Sequence, residues 1–219
     1  KVSFTQKQFY LKNSMENTEN KSLKNFILSN KKKLSLLIGI IFFLLIYFWW
    51  ADNAKKKDRY KNSEDFIAAK IFLSNNENQK SLEVLKNIIS TNDEVYSPLS
   101  LFVIIDRNLE ENRENVLKYF DQIISINSLE KEDLNLLKLK KAIYISDSAD
   151  ETDLLKMLNP ILNSESVWKY KSLKLLGDYY FNKKEYIKAK QYYSMILTLE
   201  DPSVDLSDIN RKIKIIEND

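Results

Sequence analysis

The sequence predicts an all-α protein, with one membrane-crossing helix followed by about four helical hairpins and a closing helix. Three observations lead there. Only two glycines and three prolines occur in 219 residues, too few for the tight turns that a sheet protein needs. An uncharged apolar run fills residues 34–50. Beyond it, apolar residues recur at helical spacing in paired segments that repeat every 35–38 residues.

The elements follow in chain order. Residues 1–33 read as a short polar tail on the cytoplasmic side, in part disordered; Met15 opens a polar stretch, so 1–14 read as an upstream extension. Residues 34–51 read as a transmembrane helix. Leu34 to Trp50 runs seventeen residues without a charge, roughly 25 Å as a helix, with Lys31, Lys32 and Lys33 at one end and Tyr47, Trp49 and Trp50 at the other. A cleaved signal peptide would end in small residues, whereas this run ends in Phe48, Trp49 and Trp50. Charge alone leaves the orientation open, because Lys55, Lys56, Lys57, Arg59 and Lys61 follow the run. The three lysines that abut it favour an N terminus inside. Residues 52–62 read as a charged stem, and 63–219 as the repeat domain.

Within that domain, polar breaks fall at Asn75–Asn78, Asn108–Asn112, Ser146–Glu151 and Asn182–Glu185. Ser97 followed by Pro98 reads as a helix N-cap with proline in the first turn, and Pro202 closes the fourth pair. Gly177 steps back by 35, 38 and 35 residues to Ala142, Ile104 and Ala69, and Ala189 steps back by the same intervals to Leu154, Val116 and Ser81. Leu85, Phe120, Leu158 and Tyr193 follow as the large residue of each second helix. The fourth pair, with Leu173, Leu176, Gly177, Tyr180, Ala189, Tyr193 and Pro202, resembles a tetratricopeptide repeat. Small residues there let two helices approach, and the tyrosines fill the space around the contact. Ile104 is large for its slot, Arg107 stands where an aromatic belongs, and Pro160 should kink the third pair's second helix. Leu206 to Ile216, striped by Ile209, Ile213 and Ile216, reads as a capping helix. The competing architecture is an irregular helical bundle whose stripe mimics a repeat.

Composition excludes most chemistry. There is no histidine and no cysteine, which removes the usual general base, the thiolate nucleophile and nearly all zinc sites. Gly39 and Gly177 alone cannot build a phosphate-binding loop. The acidic pairs Glu110–Glu111 and Glu132–Asp133 read as solvated charges, an acid–base or calcium role being the other reading. Residues 1–60 carry 12 of the 34 basic and 4 of the 31 acidic residues, leaving 22 basic against 27 acidic beyond, which argues against a nucleic-acid surface. The chain is thus expected to be no enzyme and to need no cofactor, metal or small-molecule substrate.

What remains is a binding surface. In a stack of hairpins the first helices line one side, which nominates Phe66, Leu73, Leu101, Ile105, Leu109, Leu136, Leu139, Ile143, Lys174 and Phe181 as a groove for exposed hydrophobic segments or an amphipathic helix. One position out of register, the same residues would pack between hairpins as core.

The layout, carried by KKKLSLLIGIIFFLLIYFWW, a basic stem and EDFIAAKIF, resembles the YfgM-like ancillary subunits of the bacterial SecYEG translocon. That resemblance implies an inner-membrane protein with a cytoplasmic tail and periplasmic repeats. It further implies partners in the SecYEG channel, a membrane-anchored periplasmic chaperone and client polypeptides. The domain is similar as well to that of periplasmic cell-division coordinators, which implies as the alternative a scaffold of envelope machinery.

Overall fold

The computed structural model describes residues 29–199 and 205–218, the side chains of residues 34, 37, 38, 52 and 55 excepted. The readings of the tail up to residue 28, of Met15 and of Pro202 lie outside the described residues, and residues 31–33, read as the end of the tail, belong to the first helix. Among the described residues every regular element is a helix: α1 Lys31–Ser74, α2 Asn78–Ser90, α3 Tyr96–Asp106, α4 Arg113–Ile124, α5 Lys131–Ile145, α6 Glu151–Leu162, α7 Lys169–Asn182, α8 Tyr186–Leu197 and α9 Ser207–Glu217. The all-helical class predicted from the sequence is the class observed.

The chain divides into two compact units, Lys1–Tyr60 and Lys61–Asp219. The expected stem is not a separate element, because residues 52–62 lie inside the 44-residue helix α1. No glycine or proline falls between Gly39 and Pro98, so nothing in the sequence stops the helix before Ser74. Along its first part, Leu36 and Ile40 to Trp50 expose 46–76% of their surface. Among the described residues no helix is long and apolar enough to cross a membrane. The expected span includes Leu34, Leu37 and Ile38, whose side chains are outside that description.

In the second unit, helices pack in chain order from α2 to α9, and α5 also meets α7. Three of the turns are built alike. Glu77 N–H bonds Phe72 O at 2.8 Å, Leu109 N–H bonds Ile104 O at 2.9 Å, and Glu185 N–H bonds Tyr180 O at 2.9 Å. Each closes over a left-handed residue, Asn76 (φ 61°), Asn108 (φ 48°) or Lys184 (φ 59°), which is how a helix ends by bonding its own last carbonyls. Caps begin the following elements: the Asn112 side chain accepts from Glu114 N–H, and Asp150 from Asp153 N–H at 2.9 Å.

Two expectations about α3 change. Ser97 is not its N-cap: Asp93 Oδ1 accepts from Val95 N–H (2.9 Å) and Tyr96 N–H (2.7 Å), so the helix starts one residue before Ser97. Ser97 Oγ instead donates to Ile88 O at 3.0 Å, closing the end of α2. Arg107 fits its slot because α3 stops at Asp106, so the position that holds an aromatic in other hairpins here lies past the helix, exposed. Pro160 sits in the last turn of α6, which ends two residues later at Leu162, so little helix follows for a kink to redirect.

The stepped positions are all interior. Ala69, Ile104, Ala142 and Gly177 are buried, as are Ser81, Val116, Leu154 and Ala189, and Leu85, Phe120, Leu158 and Tyr193. At the fourth pair the approach is close: a Cβ on Gly177 would come within 2.6 Å of Tyr193 Cδ1. Tyr193 cannot easily move aside, since it is fully buried and its hydroxyl donates to Asp178 at 2.7 Å. Tyr180 stacks on Tyr192 with ring centroids 5.4 Å apart. The interior forms two clusters, one from Ala69 to Leu137 and one from Leu139 to Ile209, and Tyr144 on α5 packs against both.

Candidate functional site

The ten residues nominated for a groove separate into three groups. Leu101 and Leu139 are withdrawn into the core, 0% and 2% exposed, and cannot line an open surface. The reason is local: α3 is apolar on nearly every side, and Leu101 is the side that meets α2 and α4. Lys174 and Phe181 are engaged by α9. Lys174 Nζ donates to Asp178 at 2.8 Å and Asp208 at 2.9 Å, and Lys212 lies 5.8 Å from the Phe181 ring centroid. The other six, Phe66, Leu73, Ile105, Leu109, Leu136 and Ile143, remain partly or largely accessible. Ile143 exposes 49% of its surface, and Leu136, one heptad before it, shares its face of α5. Neither belongs to a core cluster, whereas Phe66, Ile105 and Leu109 pack along the edge of the first.

Around α9 the charges form a half-buried network. Asp178 accepts from Lys174, from Tyr193 and from Lys212 (2.6 Å), while Asp208 accepts from Lys174 and Arg211 (2.6 Å). Burial opposes ionisation of Asp178, yet the bonds from Lys174, Lys212 and Tyr193 outweigh it and hold its carboxyl below the usual range. Asp208 is depressed further, first by the Lys174 bond and then by Arg211. These contacts tie α9 to α7 and engage Lys174, Arg211 and Lys212.

Two acids read as solvated prove to be ties between hairpins. Glu110 accepts from Lys86 Nζ at 2.6 Å, which lowers its pKa against the opposing effect of burial. Glu132 accepts from Ser166 Oγ at 2.7 Å and Val167 N–H at 3.2 Å, and its carbonyl accepts from the Trp168 indole at 3.0 Å. Glu111 and Asp133 are exposed. No group of three potential metal-ligating side chains occurs among the described residues.

A feature that the sequence did not announce lies between α4, α5 and α6. There a half-open cleft of about 660 Å³ is walled by Leu117, Ile124, Ile145 and Met157 and rimmed by four cations, Arg113, Lys138, Lys141 and Lys156, against two carboxylates, Asp121 and Asp153. Its lining comes from two consecutive hairpins, so no single amphipathic stripe contains it.

No family model, curated protein or solved structure matches this chain. Function is therefore read from the surface itself.

Proposed function

We infer that the chain is a membrane-anchored protein-binding module: a tetratricopeptide-like stack tethered through the first part of α1, serving as an ancillary scaffold or co-chaperone at the Sec translocon. The observation that carries the binding role is the set Ile105, Leu136 and Ile143, apolar side chains on first helices that the hairpin packing leaves accessible. In support of a repeat stack, three slots recur at one set of intervals and every residue in them is buried. The tether is supported by the exposed apolar side chains of Leu36 and of Ile40 to Trp50, lysines before them and the aromatic cluster at the end. The absence of histidine and cysteine from the sequence supports a role without catalysis.

The deciding experiment places a photo-crosslinking residue at Ile105 or Ile143 of the full chain in native membranes. Adducts with translocon subunits, a periplasmic chaperone or nascent chains are expected; cell-wall synthases in their place would favour the envelope-scaffold reading, and no adduct at either site would refute the groove. Sidedness is read separately from Asn210→Cys, which gives an exposed thiol in a chain that has none of its own. Labelling from the periplasmic side is expected, and labelling from the cytoplasmic side alone would reverse the orientation.

A further inference from the structure

We propose that the cleft between α4, α5 and α6 binds an acidic segment of a partner polypeptide that carries an apolar side chain beside its carboxylates. The charges on the rim are unequal in kind. Lys141 is paired with Asp121 and so is neutralised. Arg113 is held as a fixed cation: its Nη2 donates to Tyr144 O at 3.1 Å and Ser148 Oγ at 2.7 Å, with the guanidinium 5.2 Å from the Tyr144 ring centroid. That arrangement leaves Nε and Nη1 without a protein acceptor, in the fork geometry that suits a carboxylate. Among the described residues Lys138 on α5 and Lys156 on α6 form no ion pair or hydrogen bond, and in the lining Asp153 alone opposes the three remaining cations. A guest with negative charge completes this rim.

The walls narrow the guest further. Leu117, Ile145 and Met157 offer an apolar floor, and a methionine adapts to side chains of different shape. A volume of about 660 Å³ takes a few side chains rather than a folded domain. Nucleic acid fits poorly, because no aromatic side chain lines the cleft for a base to stack on. A peptide presenting Glu or Asp near Leu satisfies both charge and floor. This site lies apart from the six accessible groove residues and does not depend on the membrane tether.

The test uses the full chain in a non-ionic detergent and fluorescence anisotropy with a labelled peptide of Glu-Glu-Leu repeats. Saturable, salt-sensitive binding is expected, with the Lys-for-Glu peptide and an oligo-dT strand failing to bind. The double variant Lys138→Glu, Lys156→Glu should weaken the acidic peptide about tenfold. Both lysines are without partners in the fold, so circular dichroism and melting temperature should stay unchanged. Absence of saturable binding, equal binding by the variant, or equal binding of oligo-dT would each overturn the proposal. Crosslinking at Ile105 and Ile143 in the same variant reports on the groove alone, so failure of one site is read separately from failure of the other.

Discussion

Lys184 is the residue whose backbone most plainly disagrees with its identity. At φ 59° it sits in the left-handed region beside Asn76 and Asn108, which tolerate that conformation better because a short amide side chain can bond locally. For a lysine the cost is about 1 kcal/mol, and nothing in the side chain repays it, since that side chain is exposed and makes no hydrogen bond or ion pair among the described residues. Lys184→Gly should therefore raise stability by about 1 kcal/mol, read as a higher urea midpoint at unchanged slope. A lower midpoint would mean that the lysine side chain has a role in the turn. The break at 182–185 was legible in the sequence because Asn182, Lys183 and Lys184 interrupt the apolar stripe. Which of them turns left-handed was not, for the choice depends on the bond from Glu185 N–H back to Tyr180 O.

Among the elements, α9 shows how a helix is attached by ion pairs towards both ends and by a few isoleucines along its length. Ile209 is buried and Ile213 and Ile216 pack at the edge of the second cluster, as the apolar stripe predicted. The ion network was hidden, because Lys174 and Asp208 are 34 residues apart and only the fold makes them neighbours. Folding depresses the pKa of both Asp178 and Asp208, so the docked state holds fewer protons than the undocked one wherever those groups titrate. Their contribution is thus fully present above the ordinary aspartate value of about 3.9 and is lost as the pH falls through the lower folded values. Amide exchange in 207–217 should accelerate on acidification relative to α2, and Asp178→Asn with Asp208→Asn should remove most of that difference. An α9 whose protection ignores pH in both proteins would show that the isoleucines and the Lys190–Glu217 pair hold it without the aspartates. The faces of α3 and α5 were harder to read for a related reason. With Leu101, Phe102, Val103, Ile104 and Ile105 in succession, no polar residue marks which side of α3 looks outward.

For the molecule as a whole, the two clusters of the second unit raise the question of whether it unfolds as one body. Each helix packs mainly on its neighbours in the chain, so cooperativity has to pass through local interfaces. Tyr144 occupies that junction: it packs against both clusters, its ring lies 6.0 Å from Phe120 on α4, and its carbonyl takes a bond from Arg113. Being only half-buried, it should cost about 2 kcal/mol when truncated to alanine, less than a fully enclosed aromatic. The larger effect expected is on coupling. In Tyr144→Ala, urea should separate the transitions of 81–124 and 151–197 as followed by hydrogen exchange, with a shallower overall slope by circular dichroism. A single transition with the parental slope, merely shifted to lower urea, would show that the two clusters are joined elsewhere along α5, through Leu137 and Leu139, and that Tyr144 fills space without transmitting order.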